Sequence, residues 1–167
     1  MTFQNNYKIY PLIPNVLYFN GSSNNDHDHN YLSNFNNYSN AGIGVVLYIN
    51  KERLLSNCKY IGNKTKNEAE YMALYHGLHI VLLLGITDII VNGNNKIIIN
   101  QMKNICKIEK YNLSEICYKI LHLITEFNYI EFNYIYKNEY AEILANKAIS
   151  DYDNHNIYTK IYTIDEL

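Results

Sequence analysis

A long helix-patterned segment lies between strand-like runs, and that alternation does most to limit the folds open to this chain. Apolar residues recur at Ala69, Met72, Ala73, His76, Ile80, Leu83 and Leu84, close to one face at helical spacing. Gly85 supplies a stop, so a helix is predicted from Glu68 to about Leu84. Two caps fit its start: Asn67 with Glu70 three residues on, or Thr65 with Glu68. In either case Glu70 falls in the first turn, at the end that attracts negative charge.

Strand-like runs flank this helix. Val16–Phe19 is extended and apolar and breaks at the turn-forming Asn20-Gly21-Ser22-Ser23. Ala41–Ile49 and Arg53–Ile61 form a hairpin around Asn50-Lys51-Glu52, with a loop over 62–67. Thr87–Val91 is a short β-branched run suited to a central strand. Lys96–Lys103 and Tyr111–Phe127 read as helices, Tyr129–Ile135 alternates as a fifth strand, and Glu139–Ser150 closes as a helix. Three leading strands predict a meander, and strands separated by helices must pair in parallel through right-handed crossovers. The predicted class is α/β, a five-stranded mixed sheet with helices on both faces.

At 167 residues the chain is long enough for one cored domain. Its expected extent is 16–150, after an N-terminal arm (1–15) and before a polar tail (151–167). An Asn-rich, low-complexity loop at 24–40 interrupts it. Asparagine occurs 27 times, isoleucine 24, tyrosine 18, and arginine once, at Arg53. That bias is the mark of an AT-rich genome, which offers a neutral route from Asp to Asn. The net charge of −2 excludes a strongly basic nucleic-acid binder but leaves room for local patches. Cys58, Cys106 and Cys117 match neither a zinc site nor a disulfide framework and read as reduced thiols. No signal-peptide pattern and no membrane-spanning run stand out, so the expectation is an intracellular chain, in cytoplasm or nucleus, with no membrane partner. The closing Ile164-Asp165-Glu166-Leu167 resembles a retrieval tail, which has meaning only in the secretory route.

Four separated motifs then come into register. They are Phe19-Asn20-Gly21-Ser22, Thr65 to Tyr71, Asn92-Gly93-Asn94-Asn95, and Asn138 to Asn146. Together with the element order they resemble the reverse-transcriptase-like ribonuclease H group over about Val16–Ala148. The resemblance implies a ribonuclease H-like fold. It also implies four carboxylates at the C-terminal edge of the central strands, holding two Mg²⁺ ions about 4 Å apart for in-line phosphodiester cleavage. Gly21, Asn67, Ala69, Tyr71, Gly93, Asn138, Ala141, Leu144 and Asn146 keep the family pattern. Glu70 keeps the family's glutamate. Asn20 and Asn94 stand where the family has aspartates, and Glu142 stands on the last aspartate, one methylene longer.

An amide oxygen can ligate but brings no charge to offset a cation. The metal positions that remain charged are Glu70 and Glu142. The resemblance therefore implies weak metal binding and little or no hydrolysis, with no firm cofactor. Mg²⁺ or Mn²⁺ enters only if the alternative holds, an active endoribonuclease cutting the RNA strand of RNA–DNA hybrids. Asp26, His27, Asp28 and His29 in the Asn-rich loop read mainly as surface residues, with replacement of the lost ligands as the minor alternative; Asp151 and Asp153 read the same way. His76 reads as a core histidine with one hydrogen bond, and His122 as a partly buried or surface histidine rather than a base.

Nucleic-acid contact is expected from Gly21, Ser22, Ser23, Asn67 and Asn138, while the lysines at Lys64 and Lys66 and at Lys103, Lys107 and Lys110 read first as solvated faces, with phosphate contact as the alternative. Tyr136 and Lys137 offer a stacking and phosphate pair. Lysine attracts phosphate as a point charge, so binding of an RNA–DNA hybrid or structured RNA should be shape-directed, weak and salt-dependent. High tyrosine content and low charge also suit a protein or ribonucleoprotein interface.

Overall fold

The computed structural model describes residues 14–24, 38–105 and 111–164. Five strands form one sheet in the order β3-β2-β1-β4-β5. Strands β1 (Val16–Ser23), β2 (Ser39–Ile49) and β3 (Glu52–Lys64) make the antiparallel meander. Helix α1 (Lys66–Leu83) then crosses over, and β4 (Asp88–Gly93) pairs in parallel with β1. Helices α2 (Lys96–Met102) and α3 (Tyr111–Ile124) lead to β5 (Tyr129–Tyr134), parallel to β4. Helix α4 (Glu139–Ile164) follows. This is the mixed sheet that the alternation of periods predicted.

The two faces are covered by different helices. Leu17, Phe19, Ile43, Val45 and Val91 meet Leu74, Leu78 and Val81 of α1 in the main core, which Cys117 and Ile120 of α3 extend. On the opposite face α4 lies on β2. A Cβ on Gly44 would come within 2.2 Å of the Ala141 carbonyl oxygen, so the absence of a side chain there sets how close the helix lies. No helix among the described residues is long and apolar enough to cross a membrane.

Several boundaries differ from the sequence expectation. Asn20-Gly21-Ser22-Ser23 is not a turn but the last half of β1, held by pairing with Ala41–Gly44 of β2. The expected loop over 62–67 is divided between strand and helix, because β3 reaches Lys64 and α1 begins at Lys66, leaving Thr65 alone between them. The inner face of α1 runs through Ala69, Glu70, Tyr71, Ala73, Leu74, Gly77, Leu78 and Val81, so Ala69 and Ala73 of the expected face are buried while Leu83 and Leu84 are exposed. The helix is apolar on several sides, so spacing alone did not orient it. Helix α4 continues to Ile164 where a tail was expected after Ser150. Its extension is tied back at Asp153, which accepts from Asn40 Nδ2 at 2.8 Å, and by Tyr152 stacked on Tyr60 at 3.6 Å.

Candidate functional site

The C-terminal ends of β1 and β4 lie side by side, and their register decides what meets there. Tyr18 is opposite Asn92, so two residues further on Asn20 comes level with Asn94. The two amides bond directly: Asn20 Nδ2 donates to Asn94 Oδ1 at 3.0 Å. Asn20 is 4% exposed. Asn95, not Asn94, caps α2, accepting from the backbone N–H of Ile97 and Ile98 at 3.1 and 3.3 Å. Asn94 is thereby left to face Asn20.

Glu70 reaches the same edge through backbone packing. The α1 cap is the Thr65–Glu68 box: Glu68 N donates to Thr65 Oγ1 at 3.2 Å, and Thr65 N donates to Glu68 Oε2 at 2.9 Å. The alternative cap, Asn67 with Glu70, is not formed, and Glu70 turns inward to 2% exposure. Gly21 makes this approach possible, since a Cβ there would lie 2.2 Å from Glu70 N. The backbone beside Asn20 and the first turn of α1 are in direct contact.

Glu142 is placed by α4. Asn138 is buried and its Nδ2 donates to the Phe19 carbonyl at 2.7 Å, which locks the helix start to β1. Glu142 N donates to Asn138 O at 3.1 Å, so Glu142 follows one turn into the helix, where it is exposed. Asn20, Asn94 and the first turn of α1 thus meet at one sheet edge, and Glu142 lies one turn into the helix that Asn138 ties to β1. Among the described residues, no group of three or more His, Cys, Asp or Glu side chains could hold a metal ion.

The expected nucleic-acid contacts divide into two groups. Ser22 is buried and its hydroxyl bonds to Asn146 Oδ1, and Asn138 bonds to Phe19, so both side chains tie α4 to β1. Ser23 Oγ donates to Lys64 O at 3.3 Å, holding the β3 end beside β1. Lys66 and Asn67 are exposed and Lys64 is half-buried at the mouth of α1. Lys103 lies elsewhere, beside Glu131. Hydrogen bonds from Tyr129 and Asn133, and then the charge of Lys103, hold that carboxyl below the usual range. Lys107, Lys110, Asp26, His27, Asp28 and His29 lie outside the described residues.

Asp151 pairs with Lys147 at 2.6 Å, and His122 is exposed on α3. His76 is half-buried with Nε2 at 3.0 Å from Asn57 Oδ1. Burial, then the charges of Lys59 and His79, depress its pKa. Sequence reasoning missed the Asn20–Asn94 bond. No sequence signal marks it, because it depends on the β1–β4 register that sets Tyr18 opposite Asn92.

A protein family described as reverse transcriptase-like matches residues 30–148. The bifunctional protein Rv2228c of Mycobacterium tuberculosis is 31% identical over 113 residues, covering 65% of this chain and 31% of that protein. The chain thus spans under a third of that relative's length. Among solved structures, RNase H1 from Halobacterium salinarum is 26% identical with a TM-score of 0.72, covering 82% of this chain and 98% of that one. The N-terminal RNase H domain of Rv2228c is 27% identical with a TM-score of 0.71, covering 82% and 99%. LC11-RNase H1, solved in complex with an RNA/DNA hybrid, is 30% identical with a TM-score of 0.71, covering 82% and 97%.

Proposed function

The chain belongs to the reverse transcriptase-like ribonuclease H family, and from that premise we propose that it binds RNA–DNA hybrids without hydrolysing them. The observation that carries this reading is the Asn20–Asn94 hydrogen bond. Two aspartates in those positions would repel each other, and bound cations would offset the repulsion. Two asparagines satisfy each other instead. The Asn20 amide turns a donor towards its neighbour where a cation site needs acceptors, and neither residue carries charge. Glu70 and Glu142 retain two of four negative charges, one buried on α1 and one exposed on α4. These residues do not fit a pair of Mg²⁺ ions.

The binding half of the family's function has better support in this chain. The sheet edge and the α1 entrance are intact, and Lys64, Lys66 and Asn67 stand together at that entrance. A similar protein, LC11-RNase H1, has been seen with an RNA/DNA hybrid. Here the lysines supply charge attraction, while Gly21, Ser22 and Asn138 act by holding the elements that present them. Binding is shape-directed and falls steeply with salt.

The test joins two measurements on a labelled hybrid: binding by fluorescence anisotropy across a salt series, and cleavage with Mg²⁺ or Mn²⁺ beside a Glu70→Gln variant. Salt-sensitive binding with no cleavage above the variant supports the reading. Metal-dependent cleavage that Glu70→Gln abolishes would instead establish an active endoribonuclease. The burial of Glu70 at this edge favours that second outcome.

A further inference from the structure

The connection from β5 to α4 is pinned at both ends. Ile135 N donates to the Gly93 carbonyl at 2.9 Å, and Asn138 Nδ2 donates to the Phe19 carbonyl at 2.7 Å. Gly93 and Phe19 immediately precede Asn94 and Asn20, so both pins lie on the strands that carry the amide pair. Between them only Tyr136 and Lys137 project. Tyr136 is 90% exposed, which among the described residues exceeds the next most exposed large apolar side chains, Leu83 and Tyr118 at 73%.

Its neighbours are occupied. Lys137 forms an ion pair with Glu139. The Tyr140 hydroxyl bonds to Arg53, whose guanidinium also lies 4.9 Å from the ring centroid. The loop tip therefore presents a bare aromatic face with little uncompensated charge. An aromatic ring in water forfeits the burial it would gain against another surface. A tyrosine has two side-chain torsions, so fixing it against a partner costs little entropy.

We propose that Tyr136 is a stacking platform for a sugar ring of the bound hybrid at the rim of the Asn20–Asn94 edge. The proposal rests on the hybrid-binding reading and adds a contact of different physics to it. The bases of a duplex are stacked on one another, whereas its sugars line the surface and carry no sequence information, so the contact tolerates any sequence. Stacking neutralises no phosphate and releases no counterion, so it changes affinity without changing the salt slope.

The experiment is anisotropy of a labelled RNA–DNA hybrid with the full chain across a salt series, with circular dichroism of each variant. Tyr136→Ala should bind about tenfold more weakly or worse at every salt concentration, with an unchanged slope. Tyr136→Phe should stay within about twofold of the parent, because the ring remains. Tyr118→Ala, removing a comparably exposed tyrosine of α3, should change nothing. Lys66→Ala should lower the slope by about one, marking the charge-driven part. If the parent binds and Tyr136→Ala binds equally well, the platform is refuted and hybrid binding stands. Equal losses in Tyr136→Ala and Tyr118→Ala would also overturn it. A parent that binds no hybrid at any salt overturns both.

Discussion

Restoring both aspartates, Asn20→Asp with Asn94→Asp, turns an attraction into a repulsion. The present amide contact is 3.0 Å long, and two unit charges at that separation repel by about 5 kcal/mol at an effective dielectric constant of about 20. One carboxyl can keep a proton instead, and a pKa lifted by about 3 units corresponds to about 4 kcal/mol at neutral pH. Loss of the amide bond adds about 1 kcal/mol. The double variant should be about 3–5 kcal/mol less stable than the parent at neutral pH without divalent ions. The folded variant holds a proton that the unfolded chain releases, so its stability should fall as pH rises from about 4 to about 7. Mg²⁺ acts in the opposite direction: a ligand bound only to the folded state adds about 2.7 kcal/mol at a hundredfold excess over its Kd. Urea unfolding in EDTA and in Mg²⁺ reads both terms. The parent midpoint should not move with Mg²⁺, whereas the variant should start lower and recover. A variant as stable as the parent in EDTA would refute the Asn20–Asn94 contact. A parent stabilised by Mg²⁺ would refute the argument that the amides leave no ion site.

Three further perturbations test how the edge is assembled. Gly21→Ala would put a Cβ 2.2 Å from the backbone of Ala69 and Glu70, and backbone cannot rotate away as a side chain can. A loss of about 3 kcal/mol or more in urea unfolding is expected, and near-parental stability would show that α1 is free to shift. Thr65→Ala should cost about 1 kcal/mol through the capping box, while Asn67→Ala should stay within about 0.5 kcal/mol; the reverse order would restore the alternative cap. The His76 pKa is lowered by burial and then by the charges of Lys59 and His79, so the folded state binds this proton less readily than the unfolded chain. Its contribution is present above the ordinary value of about 6.5 and is lost as pH falls through it towards the depressed value. Unfolding midpoints at about pH 7.5 and about pH 5 should therefore differ less in His76→Gln than in the parent, and an equal difference would exclude His76 as a source.

The fold was legible because it rests on period and punctuation, which survive a biased composition. Alternation marked β5, β-branched residues marked β4, and Gly85 ended α1 at φ +74°. What was not legible depended on tertiary contact. Asn-Gly-Ser-Ser has turn chemistry, but pairing with β2 draws it into β1. The orientation of α1 was ambiguous because Leu83 and Leu84 are as apolar as the residues it buries. At the site, the positions Asn20, Glu70, Asn94 and Glu142 came from the resemblance to the ribonuclease H group. The roles of Ser22 and Asn138 did not, since nothing in their local sequence shows that their partners are Asn146 and Phe19 O.

The scaffold and the chemistry of this edge can separate because different forces maintain them. Gly21, Gly44 and Asn138 set how closely α1 and α4 approach the sheet, and changes there disturb backbone packing throughout the core. Four carboxylates at one edge would contribute nothing to that packing and would repel one another until ions bound. Replacing two of them with amides removes the repulsion and creates a hydrogen bond, so the fold gains stability while the capacity to hold cations falls. On the reading proposed above, an Asp-to-Asn change at positions 20 and 94 removes hydrolysis and leaves the backbone packing of α1 and α4 against the sheet untouched.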